Sequence, residues 1–440
     1  MVCTDRFSLV KQSISPSSMN LIQNMIPSLP ADCLDGILQY LHDDAGALYS
    51  CMLVNRLWCR RVVPILWSNP WKSRQLLIDH TPWPAIVRTL LSCLSEESKQ
   101  ILKNNGIELS AQTSRRPLFE YIEYCQYLSP YVIDIVKRET VGDKTHSGLP
   151  RAYRETLVEQ EFYKMFMART FLKCLALPKI SLSYCPNANK CLENLRELKC
   201  HTDRSPELFY GLAQVSRNIL RLTVYPCDED NEGLVTLIKL QNGLQSLVLG
   251  SSENFVSECP RTGSALTTQA HSLTCIKFRE SLCISPDTLP SFVNLKILQL
   301  DISTRIPNME QLTKTYLPKL EILDIFRDEI TPFHIYSRLI ENASPGIQRV
   351  YWEAISPPSS SSEIKNYFRI LSLSRESLKF ASVWWDEECI EDLYELLVSC
   401  HQLEAIRICC TNDEELILNK GNEIFELLKR AIPRSLCILN

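Results

Sequence analysis

Glycine is scarce in this chain, at 12 of 440 residues, against the ~7% usual in soluble proteins. Loops that cradle phosphate need glycine where the backbone must come close to a ligand. Neither G-x-G-x-x-G nor G-x-x-x-x-G-K-[ST] occurs, so nucleotide chemistry of the familiar kinds is not expected. Long apolar runs are also missing: none approaches the roughly 18 residues that a membrane-spanning helix requires, and no membrane partner is expected. Neither sign of charge is in excess. The 47 basic and 51 acidic residues leave a net charge of −4, with a pI near 6.1. A surface built throughout to hold nucleic acid would be strongly basic, so none is expected as a partner. The histidines stand apart, at positions 42, 80, 146, 201, 271, 334 and 401, outside any H-E-x-x-H or G-x-S-x-G context. No nucleophile–base constellation is visible, and the expectation is a protein that is not an enzyme and needs no cofactor.

Cysteine, by contrast, is abundant, at 19 residues, yet no two have C-x-x-C spacing. The tightest group, Cys185, Cys191, Cys200 and His201, therefore lacks the paired clip of zinc sites, and no metal is expected. The bland reading is that most of these thiols are small buried apolar groups in a reducing compartment, cytoplasm or nucleus. The first 24 residues interrupt their few apolar positions with Asp5, Arg6 and Lys11, which does not read as a secretory signal. A hydrophobic fraction of 45% and a mean hydropathy of −0.09 fit a globular protein with sizeable cores.

The first patterned stretch starts at Leu29-Pro30. Leu34, Ile37, Leu38 and Leu41 then fall at i, i+3, i+4 and i+7, the spacing of one helical face. Asp43 and Asp44 break that pattern. A second helix is read through Leu48, Cys51, Met52, Val54 and Asn55, and a shorter third through Leu57, Trp58, Val62 and Val63, ending towards Pro64-Ile65-Leu66-Trp67. The second and third are apolar on more than one side. So small a unit cannot cover that surface by itself, which calls for a partner.

The order Leu29-Pro30, Ile37-Leu38-x-x-Leu41, Asp43-Asp44, Leu48, Val54-x-x-x-Trp58 and Leu66-Trp67 resembles the F-box, the adaptor-docking motif of SCF ubiquitin ligase substrate receptors. Gly36, inside the first helix, departs from a good helical sequence without disturbing the apolar face. The resemblance implies that Leu29, Pro30, Ile37, Leu38, Leu41, Leu48, Cys51, Val54 and Trp58 form or support the surface that docks a Skp-type adaptor, and through it a cullin–RING ligase.

From about residue 72 to 190 the spacing is mostly helical. Apolar sets occur at Ile86/Leu90/Leu91/Leu94, Leu118/Tyr121/Ile122/Cys125, Tyr131 to Val136 and Leu157/Phe162/Phe166/Phe171. The polar stretch Val141 to Pro150 reads as an exposed loop.

Beyond residue 190 the triplet apolar-x-x-apolar-x-apolar recurs nine times, first as Leu195/Leu198/Cys200 and last as Leu403/Ile406/Ile408. Its first members are Leu195, Ile219, Leu244, Leu273, Leu295, Leu320, Ile347, Leu378 and Leu403, at steps of 22 to 31 residues. Eight positions after each stand Asp203, Cys227, Ser252, Ser281, Ser303, Asp328, Ile355, Asp386 and Thr411, small polar or cysteine in all but Ile355. Helical stretches follow several triplets: 207–215, 309–316, 333–341, 364–373, 390–400 and 424–431. Pro357 to Ser362 reads as a loop, and Leu436-x-x-Leu439 as the start of a further strand. The period and the polar position resemble leucine-rich repeats.

The expected architecture is thus an α+β or α/β solenoid in four parts: a tail over 1–24, a three-helix F-box over 25–71, a helical connecting region over 72–190, and an irregular leucine-rich-repeat-like strand–helix solenoid over 191–440. Residues between the apolar positions would then share the open strand face, among them Lys199, His201, Thr223, Gln299, Asp301, Asp324, Glu353, Ser382 and Arg407. Tyr225, Lys277, Arg279, Phe326, Tyr351 and Trp384 are the residues read as binding a protein substrate, since exposed aromatic and basic groups on such a face suit partner binding. Together the halves resemble the F-box/leucine-rich-repeat receptors, whose role is to hold a protein substrate beside a ubiquitin-charged partner. A scaffold acting outside a ligase would share every one of these features.

Overall fold

The structure, a computed structural model, describes residues 30–72, 83–114, 116–142, 148–182, 185–253, 258–303, 308–327, 331–353 and 360–409, together with positions 358, 430, 436 and 438–439. The tail, Leu29, Asp328, Ile355, Thr411 and the helix expected over 424–431 (Arg430 apart) lie outside the described residues, as do 143–147 of the expected loop. The chain divides into two compact units, residues 1–172 with 184–191, and residues 173–183 with 192–440.

In the first unit, helix α1 (Ala31–Tyr40) starts directly after Pro30, whose missing N–H has no intrahelical partner to lose at that position. Asp44 caps α2 (Ala45–Met52), its carboxylate accepting the Ala47 N–H at 2.9 Å. Asn55 does the same for α3 (Arg56–Ser68) through the Trp58 N–H at 3.0 Å. These caps correct two expectations. Val54 and Asn55 do not extend α2, because Asn55 is spent on the start of α3. The third helix is not short: it runs on through Pro64 to Ser68.

Leu34, Leu38, Leu48 and Val62 form the core of this trio, with Leu41, Cys51, Met52, Trp58, Ile65 and Leu66 packed against it. The connecting region supplies α4 (Trp83–Ser92), α5 (Glu96–Asn104), the single turn α6 (Tyr121–Tyr124), a two-residue strand β1 (Tyr127–Leu128), α7 (Pro130–Thr140) and α8 (Arg151–Arg169). Trp71 is fully buried and meets Phe166 of α8 edge-on, with ring centroids 6.4 Å apart. Four residues assigned to helical faces lie elsewhere: Leu118 is exposed ahead of α6 and Phe171 is exposed beyond the end of α8, while Leu94 and Cys125 are buried just past the ends of α4 and α6.

The second unit is a sheet of eleven strands, each pairing in parallel with the next one along the chain. They are β2 (Cys174–Ala176), β3 (Glu197–Cys200), β4 (Arg221–Val224), β5 (Ser246–Gly250), β6 (Cys275–Glu280), β7 (Ile297–Ile302), β8 (Ile322–Phe326), β9 (Arg349–Trp352), β10 (Phe380–Trp384), β11 (Ala405–Cys409) and β12 (Ile438–Leu439). The order without crossovers is that of a solenoid-like repeat.

Register gives the reason. Leu198, Leu222, Leu247, Ile276, Leu298, Leu323, Val350, Ala381 and Ile406, the middle members of the nine triplets, lie opposite one another from strand to strand. Each repeat thus buries its apolar residues beneath the same residues of the next, and all nine are buried. Leu439 continues the row opposite Ile406. Leu175 begins it opposite Leu198, so the sheet starts inside the stretch assigned to the connecting region, ahead of residue 191.

Helices α9 (Pro206–Val215), α10 (Glu232–Lys239), α11 (Pro260–Thr267), α12 (Phe333–Ala343), α13 (Ser361–Ser372) and α14 (Ile390–Ser399) return the chain between strands. Met309–Lys314, expected as a helix, is a 3-10 turn, as is Pro286–Ser291. Ser360, placed in a loop by the sequence reading, caps α13 by accepting the Glu363 N–H.

Buried amides tie successive repeats together. Gln241 accepts the N–H of Ile219 at 3.0 Å and donates to the carbonyls of Ser216 and Leu237. One repeat later Gln269 accepts the N–H of Leu244 at 3.3 Å and donates to Ile238 and Gln241. The donor satisfied is in each case the first member of a triplet, which would otherwise be a buried, unpaired backbone group.

Candidate functional site: an apolar helical surface and an open strand face

Two surfaces carry the residues singled out by sequence. The first belongs to α1–α3, where the nine expected docking positions separate. Leu38 and Leu48 are core, and Leu41, Cys51 and Trp58 are half-buried against that core. Pro30 is exposed, as are Ile37 at 43% and Val54 at 59%. Ile37 therefore does not share the packed face of Leu34 and Leu38; the α1 stripe is wider than the groove that α2 and α3 offer it. Tyr40, Tyr49, Leu53 and Leu57 are exposed as well and were not among the expected docking residues. Their signal was present in the sequence as apolar residues left over once each helix had filled one face. Two polar contacts brace the trio, Arg61 to Asp35 at 3.1 Å and Lys72 to Asp43. The hydrogen bond from Lys72 is the main cause that holds the Asp43 carboxyl below its ordinary pKa.

The second surface is the open side of the sheet, formed by the residues that alternate with the buried rows. Tyr225, Lys277, Phe326 and Tyr351 are half-buried there, and Arg279 is exposed. Trp384 is not on that surface. It is 3% exposed and packs among Trp352, Phe333 and Tyr367, with centroids 4.9, 5.2 and 5.5 Å away. The cause is local. Pairing of β9 with β10 stops at Val350–Ala381; beyond it the Trp352 N–H donates to the Ser382 hydroxyl and the Tyr367 hydroxyl donates to the Ser382 carbonyl. The alternation fails there, and Ser382, like Asp324, is buried.

An arginine–aromatic cluster occupies β8–β11. Tyr351 lies 5.0 Å from Phe326 and 6.0 Å from Phe380, centroid to centroid. The Arg349 guanidinium sits over both Tyr351 and Phe380, at 5.6 and 5.2 Å, while its Nε donates to Asp324 at 2.9 Å. Such cation–ring contacts contribute about 0.5–1 kcal/mol each at exposed sites. Arg349 and Phe380 were absent from the sequence-derived list. They stand one residue before the middle triplet member, and a period of two places that position on the same face as the one after it.

Further along, Arg327 spans Asp301 at 2.6 Å and Glu280 at 2.9 Å, and the hydrogen bond to Asp301, then that to Glu280, raises its pKa above the ordinary value. Gly250 lies between Tyr225 and Arg279. A Cβ there would meet Arg279 Cβ and Tyr225 Cδ2, both at 2.7 Å, so the glycine is what lets those two side chains close over the strand.

Most of the described cysteines are buried. Among the described residues no group of histidine, cysteine, aspartate or glutamate is placed to hold a metal ion, and no helix is long and apolar enough to cross a membrane.

No protein-family model and no curated protein sequence matches the chain. Among solved structures it is similar to one described as the crystal structure of Rad7 and Elc1 complex in yeast, at 12% identity and a TM-score of 0.35, over 94% of this chain and 98% of that chain. A likeness this distant says nothing about function.

Proposed function

We propose that this chain is a non-catalytic substrate receptor of an SCF-type ubiquitin ligase. Its first three helices dock a Skp-type adaptor, and its repeat unit captures a protein substrate. The observation that carries the reading is the exposure of Ile37, Tyr40, Tyr49, Leu53, Val54 and Leu57 on α1–α3 and their connecting turns, in the segment whose residues resemble the F-box. Large apolar groups gathered on so short a segment mark an interface. Receptor action needs no bond chemistry from the chain itself; a captured lysine would meet its charged partner at high effective concentration.

The test is co-expression with a Skp-type adaptor. Stoichiometric co-purification that an Ile37→Glu/Val54→Glu double variant abolishes, while its thermal midpoint stays unchanged, supports the reading. Equal co-purification of both, or of neither with the chain folded, sinks it. Ubiquitination in a reconstituted ligase then separates a receptor from a scaffold acting outside one.

A further inference from the structure

We propose that Lys277 and Arg279 on β6 anchor an extended acidic segment of the captured protein, with two carboxylates at alternate positions. The inference rests on the receptor reading for its substrate and on the geometry of the open face for its chemistry.

Other cations of that face are matched. Lys199 lies 3.2 Å and Arg221 3.1 Å from Glu197, Arg349 2.9 Å from Asp324, and Arg407 3.7 Å from Glu353. Lys277 and Arg279 have no acidic partner among the described residues. Asp301, which the pairing of Glu280 with Ile302 brings alongside Arg279, is engaged by Arg327. Two cations therefore stand side by side on the strand, with no carboxylate among the described residues paired to balance them.

Their spacing selects the ligand. Alternate residues of a strand lie about 6.7 Å apart on one face, and an extended peptide presents its own alternate side chains at the same interval. A segment of the form acid-x-acid laid along β6 meets both cations at once, with Arg279 able to grip a carboxylate in two-pronged fashion and Lys277 acting as a point charge. The intervening residue of such a segment points away from the sheet, so the two carboxylates carry the contact, with Val248 on β5 and Thr223 on β4 in register beside Lys277. Because the pair is partly solvated, the gain is moderate and sensitive to salt.

The experiment is a fluorescence-anisotropy titration of the full-length chain with labelled Gly-Ser-Asp-Val-Glu-Ser-Gly. The comparison probes are its Asn/Gln counterpart, a phosphoserine peptide without other acids, and a single-stranded oligonucleotide. Binding of the acidic peptide that falls with added salt, weakens about tenfold in Lys277→Gln/Arg279→Gln and survives Lys379→Gln supports the anchor. Equal binding of the neutral peptide, an undiminished affinity in the double variant, or preference for the phosphopeptide or the oligonucleotide overturns it. Adaptor co-purification is read on the same preparation. Adaptor binding without acidic-peptide preference removes the anchor and leaves the receptor reading standing. Acidic-peptide binding without adaptor supports the anchor and removes the ligase reading.

Discussion

Arg407 Nη1 donates a 2.5 Å hydrogen bond to the Tyr351 hydroxyl, joining β11 to β9 across the whole width of β10. The strand between them carries Ser382 opposite Arg407, and that residue is small and buried, so nothing tall separates the two side chains. The guanidinium also lies 5.2 Å from the Tyr351 ring centre.

This contact can be measured as a coupling. Tyr351→Phe removes the acceptor and keeps the ring; Arg407→Ala removes donor and cation together. A hydrogen bond to a charged group contributes about 1.5–3 kcal/mol and less where solvent reaches it, so about 1 kcal/mol of interaction energy is expected from a double-mutant cycle in urea. Additive single effects would show that the contact adds no stability.

Gln269 is the next test, because one side chain serves three backbone groups. Replacing it with leucine keeps the volume but strips the acceptor from Leu244 N–H and the donor from the Ile238 and Gln241 carbonyls. Each buried group left unpaired costs about 1–3 kcal/mol. The expected loss of at least about 2 kcal/mol in denaturant midpoint analysis should exceed that of Lys296→Ala, whose ion pair with Glu321 is solvent-exposed.

The thiols predict an alkaline limit. Burial pushes Cys93 up to about 11, and Cys125 and Cys200 up to about 12, from an ordinary value near 9. These groups stay protonated in the fold where the unfolded chain would ionise. Above pH 9 the unfolded state therefore binds fewer protons than the native state, and stability falls as pH rises towards 11–12. Below pH 9 this contribution is fully present and flat. Denaturant midpoints measured from pH 7 to pH 10.5 should hold and then decline. Iodoacetamide at pH 8 should modify exposed Cys33 well before any of the three, as read by peptide mass spectrometry.

How legible the molecule was in its sequence depends on how local the determinant is. The repeat rows were legible, since Leu198 and Ile406 each recur in a triplet whose period is set by parallel pairing. The same rule finds Leu172/Leu175/Leu177, which stands 23 residues before Leu195, directly after Phe171, whose spacing from Phe162 and Phe166 reads as helical. Trp384 was not legible. Its burial follows from where the β9–β10 ladder stops and from Ser382 taking up the Trp352 N–H, neither of which leaves a mark on hydrophobic spacing. On α1, spacing placed Leu34, Ile37 and Leu38 on one stripe, but only the angle at which α2 and α3 pack decides that Ile37 remains outside. The division between core and interface is set by tertiary geometry, and a helical wheel does not contain it.

Gly36 separates stability from docking within that same helix. It lies in the interior of α1, and a Cβ built there has nothing within 4 Å. Alanine at an unstrained helical position reduces the freedom of the unfolded chain and raises helix propensity, by about 0.5–1 kcal/mol. Gly36→Ala should therefore raise the urea midpoint of the first unit without altering Ile37 or Val54. If the exposed apolar residues alone hold the adaptor, co-purification with Gly36→Ala will equal that of the native chain at saturating adaptor. A loss of adaptor binding in this stabilised variant would instead mean that the missing Cβ is itself part of the contact, with the partner packed against bare backbone at that turn.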